Sequence, residues 1–131
     1  MEIAIEKLIV VCCFVIGLSH ILQPRAWVEL FVRWREQGTT GVFYTALLHF
    51  PLGAFIVAFH NVWTGIPMVV TLLGWGWTLK GFLYLVYPKH GMKMLARVSV
   101  ERSREFVYAG VVLLGVAALI SYSLIVRTAA S

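Results

Sequence analysis

The sequence predicts an all-α membrane protein with four transmembrane helices, and three observations carry that expectation. The first is an apolar excess that a small water-soluble chain could not bury. Hydrophobic residues make up 60% of the 131 positions, charged residues 13%, and mean hydropathy is +0.86, against about 45–50% apolar and 25% charged in soluble domains. A domain this short hides only part of its surface on folding, so lipid is the expected solvent. The second is a set of four apolar stretches of bilayer length, and the third is a one-sided distribution of Lys and Arg. Aspartate is absent, and all six acidic residues are glutamates. The length fits one domain, residues 1–131.

A bilayer core needs about 20 consecutive, mostly apolar residues per helix. The first such run spans about Ile5 to Gln23 and stops at Pro24. The second covers Gly41 to Val62, the third Ile66 to Tyr87 before Pro88, and the fourth Phe106 to Val126. Prolines suit these ends because the residue before a proline is pushed out of helical geometry. Pro51 falls inside the second run, where a kinked but continuous helix is expected. The N-terminus has neither the basic start nor the small-residue cleavage site of a signal peptide, so the first run is expected to be retained. Cys12 and Cys13 are adjacent in an apolar run, outside any CxxC motif, and read as buried small hydrophobes.

Arg25, Arg33, Arg35, Lys89, Lys93, Arg97, Arg102 and Arg104 flank the runs on one side, with Lys7 and Arg127 on the other. By the positive-inside rule both termini and the 60–65 turn are expected outside, and the two basic segments in the cytoplasm. Trp63 would mark the outer boundary, and Trp27 and Trp34 the inner one. A net charge of +5 distributed this way points to anionic headgroups rather than nucleic acid.

Sliding the chain by 64 positions brings Pro24 onto Pro88, Arg25 onto Lys89, Arg33 onto Arg97, Gly17 onto Gly81 and Tyr44 onto Tyr108. Each half, about 1–62 and 66–126, then reads as span, proline, short amphipathic segment, span. That is a parallel repeat with its axis along the membrane normal. In the first segment Arg25, Glu29 and Arg33 lie opposite Trp27, Leu30, Phe31 and Trp34. In the second, Lys89, Lys93 and Arg97 lie opposite Met92, Leu95 and Val98. Such segments are expected in the headgroup plane, with Lys89, Lys93 and Arg97 contacting anionic lipid. The pattern of Gly, six residues, Pro and Lys or Arg, then a basic amphipathic stretch and a Gly-containing span, resembles the YjeT-like family of small bacterial inner-membrane proteins. Each half matches one unit of that family. The resemblance implies a multi-pass protein of the bacterial inner membrane and brings no activity or ligand.

Ionisable groups inside a bilayer are candidate functional residues because each is costly unless paired or hydrated. Lys80 is the sharpest case, about 12 Å inside one end of the third span at the helical rise. Its stripe includes Trp77, Tyr84 and Tyr87, away from the small-residue stripe Thr71, Gly74, Thr78 and Gly81 that suits helix packing. Glu105 is the nearest expected counter-charge. A lysine snorkelling among the tyrosines and one facing a polar site are both consistent with this placement. His20 and His49 fall in the same half of the membrane on different spans. Facing imidazoles can bind haem or metal or relay protons, and can equally make interhelical hydrogen bonds. No HxxxH or His–carboxylate spacing specifies a metal. His60 and Asn61 at the outer turn read as helix-capping residues or as an outer site, and His90 as an ordinary interfacial residue.

Chemistry is scarce. Gly-Leu-Ser-His around Ser19 lacks the strand-to-helix setting of a nucleophile elbow, and no phosphate loop or dinucleotide fingerprint occurs. The expected reading is a non-enzymatic accessory or packing protein that binds lipid or a membrane partner and self-associates. Two alternatives stay open: an oligomeric channel or transporter for anions or protons using Lys80, His49 or His20, and a haem or metal carrier using His20 and His49. Four short helices are expected to leave little interior room for a pore. The Gly110, Ala117 and Ser121 face of the fourth span is expected to share that interior with the small stripe of the third.

Overall fold

A computed structural model describes residues 1–131. The chain forms six α-helices and no strand: α1 (Glu2–Leu22), α2 (Pro24–Glu36), α3 (Thr39–Phe59), α4 (Met68–Val86), α5 (Pro88–Ala96) and α6 (Arg104–Ala129), with a 3₁₀ turn at Val100–Arg102. Helices α1, α3, α4 and α6 are long and apolar enough to cross a membrane. Their outward faces carry large exposed hydrophobics such as Phe14, Leu47, Phe55, Leu72, Leu79, Val112 and Ile125, which hydrocarbon solvates and water does not.

Proline sets the two breaks between spans and short helices. Gln23 (φ −129°, ψ 49°) and Tyr87 (φ −124°, ψ 71°) leave helical geometry, and Pro24 and Pro88 open α2 and α5. The missing proline N–H costs nothing in a first helical turn. Helix α3 starts after Gly38, whose φ of +66° suits only a glycine. It passes through Pro51 without interruption. It ends at Phe59, three residues before the sequence expectation, because His60 turns extended (φ −142°, ψ 96°).

The helices pair as α3 with α4 and α1 with α6, while α1 meets α3 only sparsely. Glycines set these pairings. A Cβ on Gly17 would lie 3.0 Å from the Gly110 carbonyl oxygen, and one on Gly110 would lie 2.6 Å from that of Gly17. Gly53 sits against Gly74 and Thr78, Gly74 against Ile56, and Gly81 against Phe50. Small residues therefore let backbones approach, as membrane helices use them. Thr71, Gly74, Gly81, Gly110 and Ala117 are buried and Ser121 is half-buried, as their stripes suggested.

One core cluster joins Ile5, Ile9, Cys13, Ile56, Val70, Ala117 and Ile120. A second, Val42, Ala46, Tyr84 and Leu95, lies where α5 packs on α3 and α4. Helices α2 and α5 contact each other at this end. On α2 the charged Arg25, Glu29 and Arg33 are exposed while Trp27, Leu30, Phe31 and Trp34 are half-buried and Val28 is buried. On the second segment Lys89, Lys93 and Arg97 are exposed, with Leu95 buried. Arg35 ties the two together by donating to the carbonyls of Leu95 (3.3 Å) and Val98 (2.8 Å).

Candidate functional site

The two helix pairs border an open-sided cleft of about 930 Å³. Its walls draw on all four spans and both short helices. His20, His49 and Lys80, singled out separately in the sequence, all line it. Cys12, Cys13, Leu52, Trp77 and Leu113 form apolar wall, and His90, Arg97, Arg102 and Glu105 lie toward the α2–α5 end. Of its 27 lining residues 18 are hydrophobic, so the cleft is greasy with a cationic end.

Lys80 does not extend to the exposed Tyr87. Its Nζ lies 3.5 Å from His49 Nε2 and 5.6 Å from the centre of the Tyr84 ring. His49 Nδ1 lies 2.9 Å from the Thr45 carbonyl oxygen. A carbonyl only accepts, so Nδ1 carries a proton. His49 thus presents Nε2 to the Lys80 amine. The only carboxylate forming an ion pair anywhere in the chain is Glu6, so Glu105 lines the cleft without neutralising Lys80. The cleft lining holds three basic side chains, Lys80, Arg97 and Arg102, against one carboxylate.

His20 behaves differently. Its Nδ1 donates to the Ile16 carbonyl (2.8 Å), and its ring stacks on Trp27 (centroids 4.3 Å) and Phe106 (5.6 Å). Trp27 in turn donates to Ser19 Oγ (2.8 Å). This aromatic stack joins α1, α2 and α6, and no hydrogen bond or ring contact joins His20 to His49. No group of three or more His, Cys, Asp or Glu residues gathers as a metal cage. Among the basic residues of the second short segment, Arg97 lines the cleft while Lys89 borders a smaller hollow with Thr39 and Met92. His90 is exposed and lines the cleft with its ring edge-on to Tyr84 (6.2 Å).

A second polar cluster lies at the opposite end, and sequence reasoning missed most of it. Glu6 and His60 are both 0% exposed. His60 Nε2 lies 3.1 Å from Glu6 Oε1, and His60 Nδ1 lies 3.0 Å from Thr71 Oγ1. Arg127 binds Glu6 Oε2 and also donates to Ser123 Oγ (3.2 Å). Asn61 caps α3 at the Val57 carbonyl and accepts from Trp75 Nε1 (3.2 Å). Hydroxyl, imidazole and carboxylate stand in the order used by hydrolases. Thr71, however, is fully buried, and its Oγ1 is engaged by the Val62 N–H (3.0 Å) and carbonyl (2.8 Å). No substrate reaches such a hydroxyl. The signal for Glu6 was present: Ile5, Ile9, Cys13 and Gly17 recur at helical spacing, and Glu6 falls on that inward face.

The chain matches no family model, no curated protein and no solved structure.

Proposed function

We propose that this protein is a non-enzymatic membrane accessory protein that holds an anionic lipid in the cleft. The acidic head would meet Lys80 and the Arg97–Arg102 end, and the acyl chains would lie along Cys13, Leu52, Trp77 and Leu113. One observation carries the reading: a lysine at span depth that contacts a histidine and has no carboxylate partner. A charge near the middle of a membrane helix costs about 2.5–3.5 kcal/mol on insertion scales, and a bound anion offsets that cost. Size argues for a lipid over a small inorganic anion. Ligand pockets run to about 300–1,000 Å³, and this cleft lies near the top of that range with mostly apolar walls.

In this reading α2 and α5 lie in the headgroup plane on the cytoplasmic side of a cell membrane, in keeping with their exposed Arg and Lys residues. Its two halves are a duplicated unit. Leu22 and Val86 end their spans, Pro24 and Pro88 begin the next helices, and both pairs are 64 positions apart. A YjeT-like ancestor for each half fits the same frame.

The test is thermal unfolding in neutral detergent with added phosphatidic acid, phosphatidylcholine or inorganic phosphate. Phosphatidic acid is expected to raise the midpoint, and Lys80→Met to abolish the rise. Equal effects of both lipids, or a rise from inorganic phosphate alone, would defeat the lipid reading.

A further inference from the structure

We propose that Glu6 and His60 form a proton-binding site, holding between them one proton more than an ionised carboxylate and a neutral imidazole would carry. The inference comes from counting donors around Thr71. Its Oγ1 lies 2.8 Å from the Val62 carbonyl oxygen and 3.5 Å from that of His60, both of which can only accept, so the single hydroxyl proton points to those carbonyls. The Val62 N–H donates into one lone pair of Oγ1 at 3.0 Å. His60 Nδ1, at 3.0 Å, therefore donates into the other and carries a proton of its own. On the far side of the ring, Nε2 lies 3.1 Å from Glu6 Oε1. Two lone pairs do not attract, so a second proton sits there, as imidazolium with carboxylate or as imidazole with carboxylic acid.

The surroundings are sparse. Helix α1 contributes Glu6 alone, since Glu2 and Lys7 are exposed. Helix α4 contributes only the Thr71 hydroxyl, and α6 contributes Ser123 and Arg127. The α3–α4 connection supplies His60, while Asn61 turns to Val57 and Trp75. Arg127 is 41% exposed while Glu6 is fully buried, so the proton exchanges with water past the guanidinium. Its departure leaves Nε2 and Oε1 as facing acceptors and removes the hydrogen bond between α1 and the α3–α4 connection. The cluster thus makes the end of the bundle remote from α2 and α5 responsive to protons. It shares no residue with the cleft, and the proposal stands apart from lipid binding.

The experiment is nitrogen-15 histidine NMR of the whole chain in detergent at neutral pH. In a variant with His20→Gln, His49→Gln and His90→Gln, His60 is the sole histidine and the cluster is untouched. Where that variant does not fold, subtracting the His60→Gln spectrum from that of the otherwise unaltered protein isolates the same signal. The expected result is a protonated Nδ1 with a further proton shared between Nε2 and Glu6. Adding Glu6→Gln removes one proton from the pair and leaves Nε2 bare. A ring with bare Nδ1 and protonated Nε2, the hydrolase-like arrangement, overturns the proposal. A bare Nε2 together with an ionised Glu6 carboxylate in the carbon-13 spectrum of the parent overturns it equally.

Discussion

Lys80 Nζ stands 3.5 Å from His49 Nε2, while the other ring nitrogen of His49 donates to the Thr45 carbonyl. The contact orients the Lys80 amine without supplying a carboxylate partner. In the proposed lipid-binding reading, the stability of the empty protein and its affinity for an anionic lipid are set against each other at this residue.

Lys80→Met is expected to stabilise the lipid-stripped protein by about 2 kcal/mol, the scale of a charge removed from a span. The same change is expected to remove anionic-lipid stabilisation. Thermal unfolding of delipidated samples reads the first effect and lipid titration the second. A variant that is both less stable and fully lipid-responsive would separate Lys80 from the site.

Glu6→Ala is expected to cost about 3–5 kcal/mol, because removing one partner of a buried pair leaves the other uncompensated. Arg127→Ala should cost far less, since Arg127 is 41% exposed and water screens it. Reversible unfolding in mixed micelles compares the two directly. Equal losses would mean that the Glu6–His60 contact contributes little beyond the surface pair.

The glycines divide cleanly. Gly53→Ala places a Cβ 2.9 Å from the Gly74 carbonyl oxygen, and Gly110→Ala places one 2.6 Å from that of Gly17. Each is expected to cost about 1–3 kcal/mol through overpacking. Gly76 and Gly115 have nothing within 4 Å of a new Cβ. Alanine there is expected to be neutral or stabilising by up to about 1 kcal/mol through helix propensity. The same unfolding assay ranks all four.

Arg35→Ala leaves the carbonyls of Leu95 and Val98 without their charged donor. Hydrogen bonds to charged groups contribute about 1.5–3 kcal/mol, so α5 should loosen. Faster tryptic cleavage after Lys89, Lys93 or Arg97, with the spans intact, is the expected readout.

Much of the fold was legible because lipid imposes coarse rules. Apolar runs of bilayer length and the Pro24 and Pro88 breaks located all four spans and both short helices to within a few residues. The small stripe of α4 was readable too, since Thr71, Gly74 and Gly81 repeat at helical spacing. Pairing of α1 with α6 was not, because Gly17 and Gly110 are distant in the chain and any two small stripes look alike. Lys80, His49 and His20 were marked individually as charges or imidazoles out of place. That Lys80 meets His49 while His20 stacks on Trp27 depends on how the pairs splay, which no periodicity encodes. Glu6 escaped notice because it lies near the chain end, where a glutamate reads as solvated. Its partners, His60 in the α3–α4 connection and Arg127 on α6, lie far from it in the chain.

The most direct measurement of the central claim is native mass spectrometry of protein extracted in mild neutral detergent. The unaltered chain is expected to carry one acidic lipid per protein molecule, and Lys80→Met to carry none while remaining folded. An identical lipid complement on both, or a chain released without any bound lipid, would contradict the account.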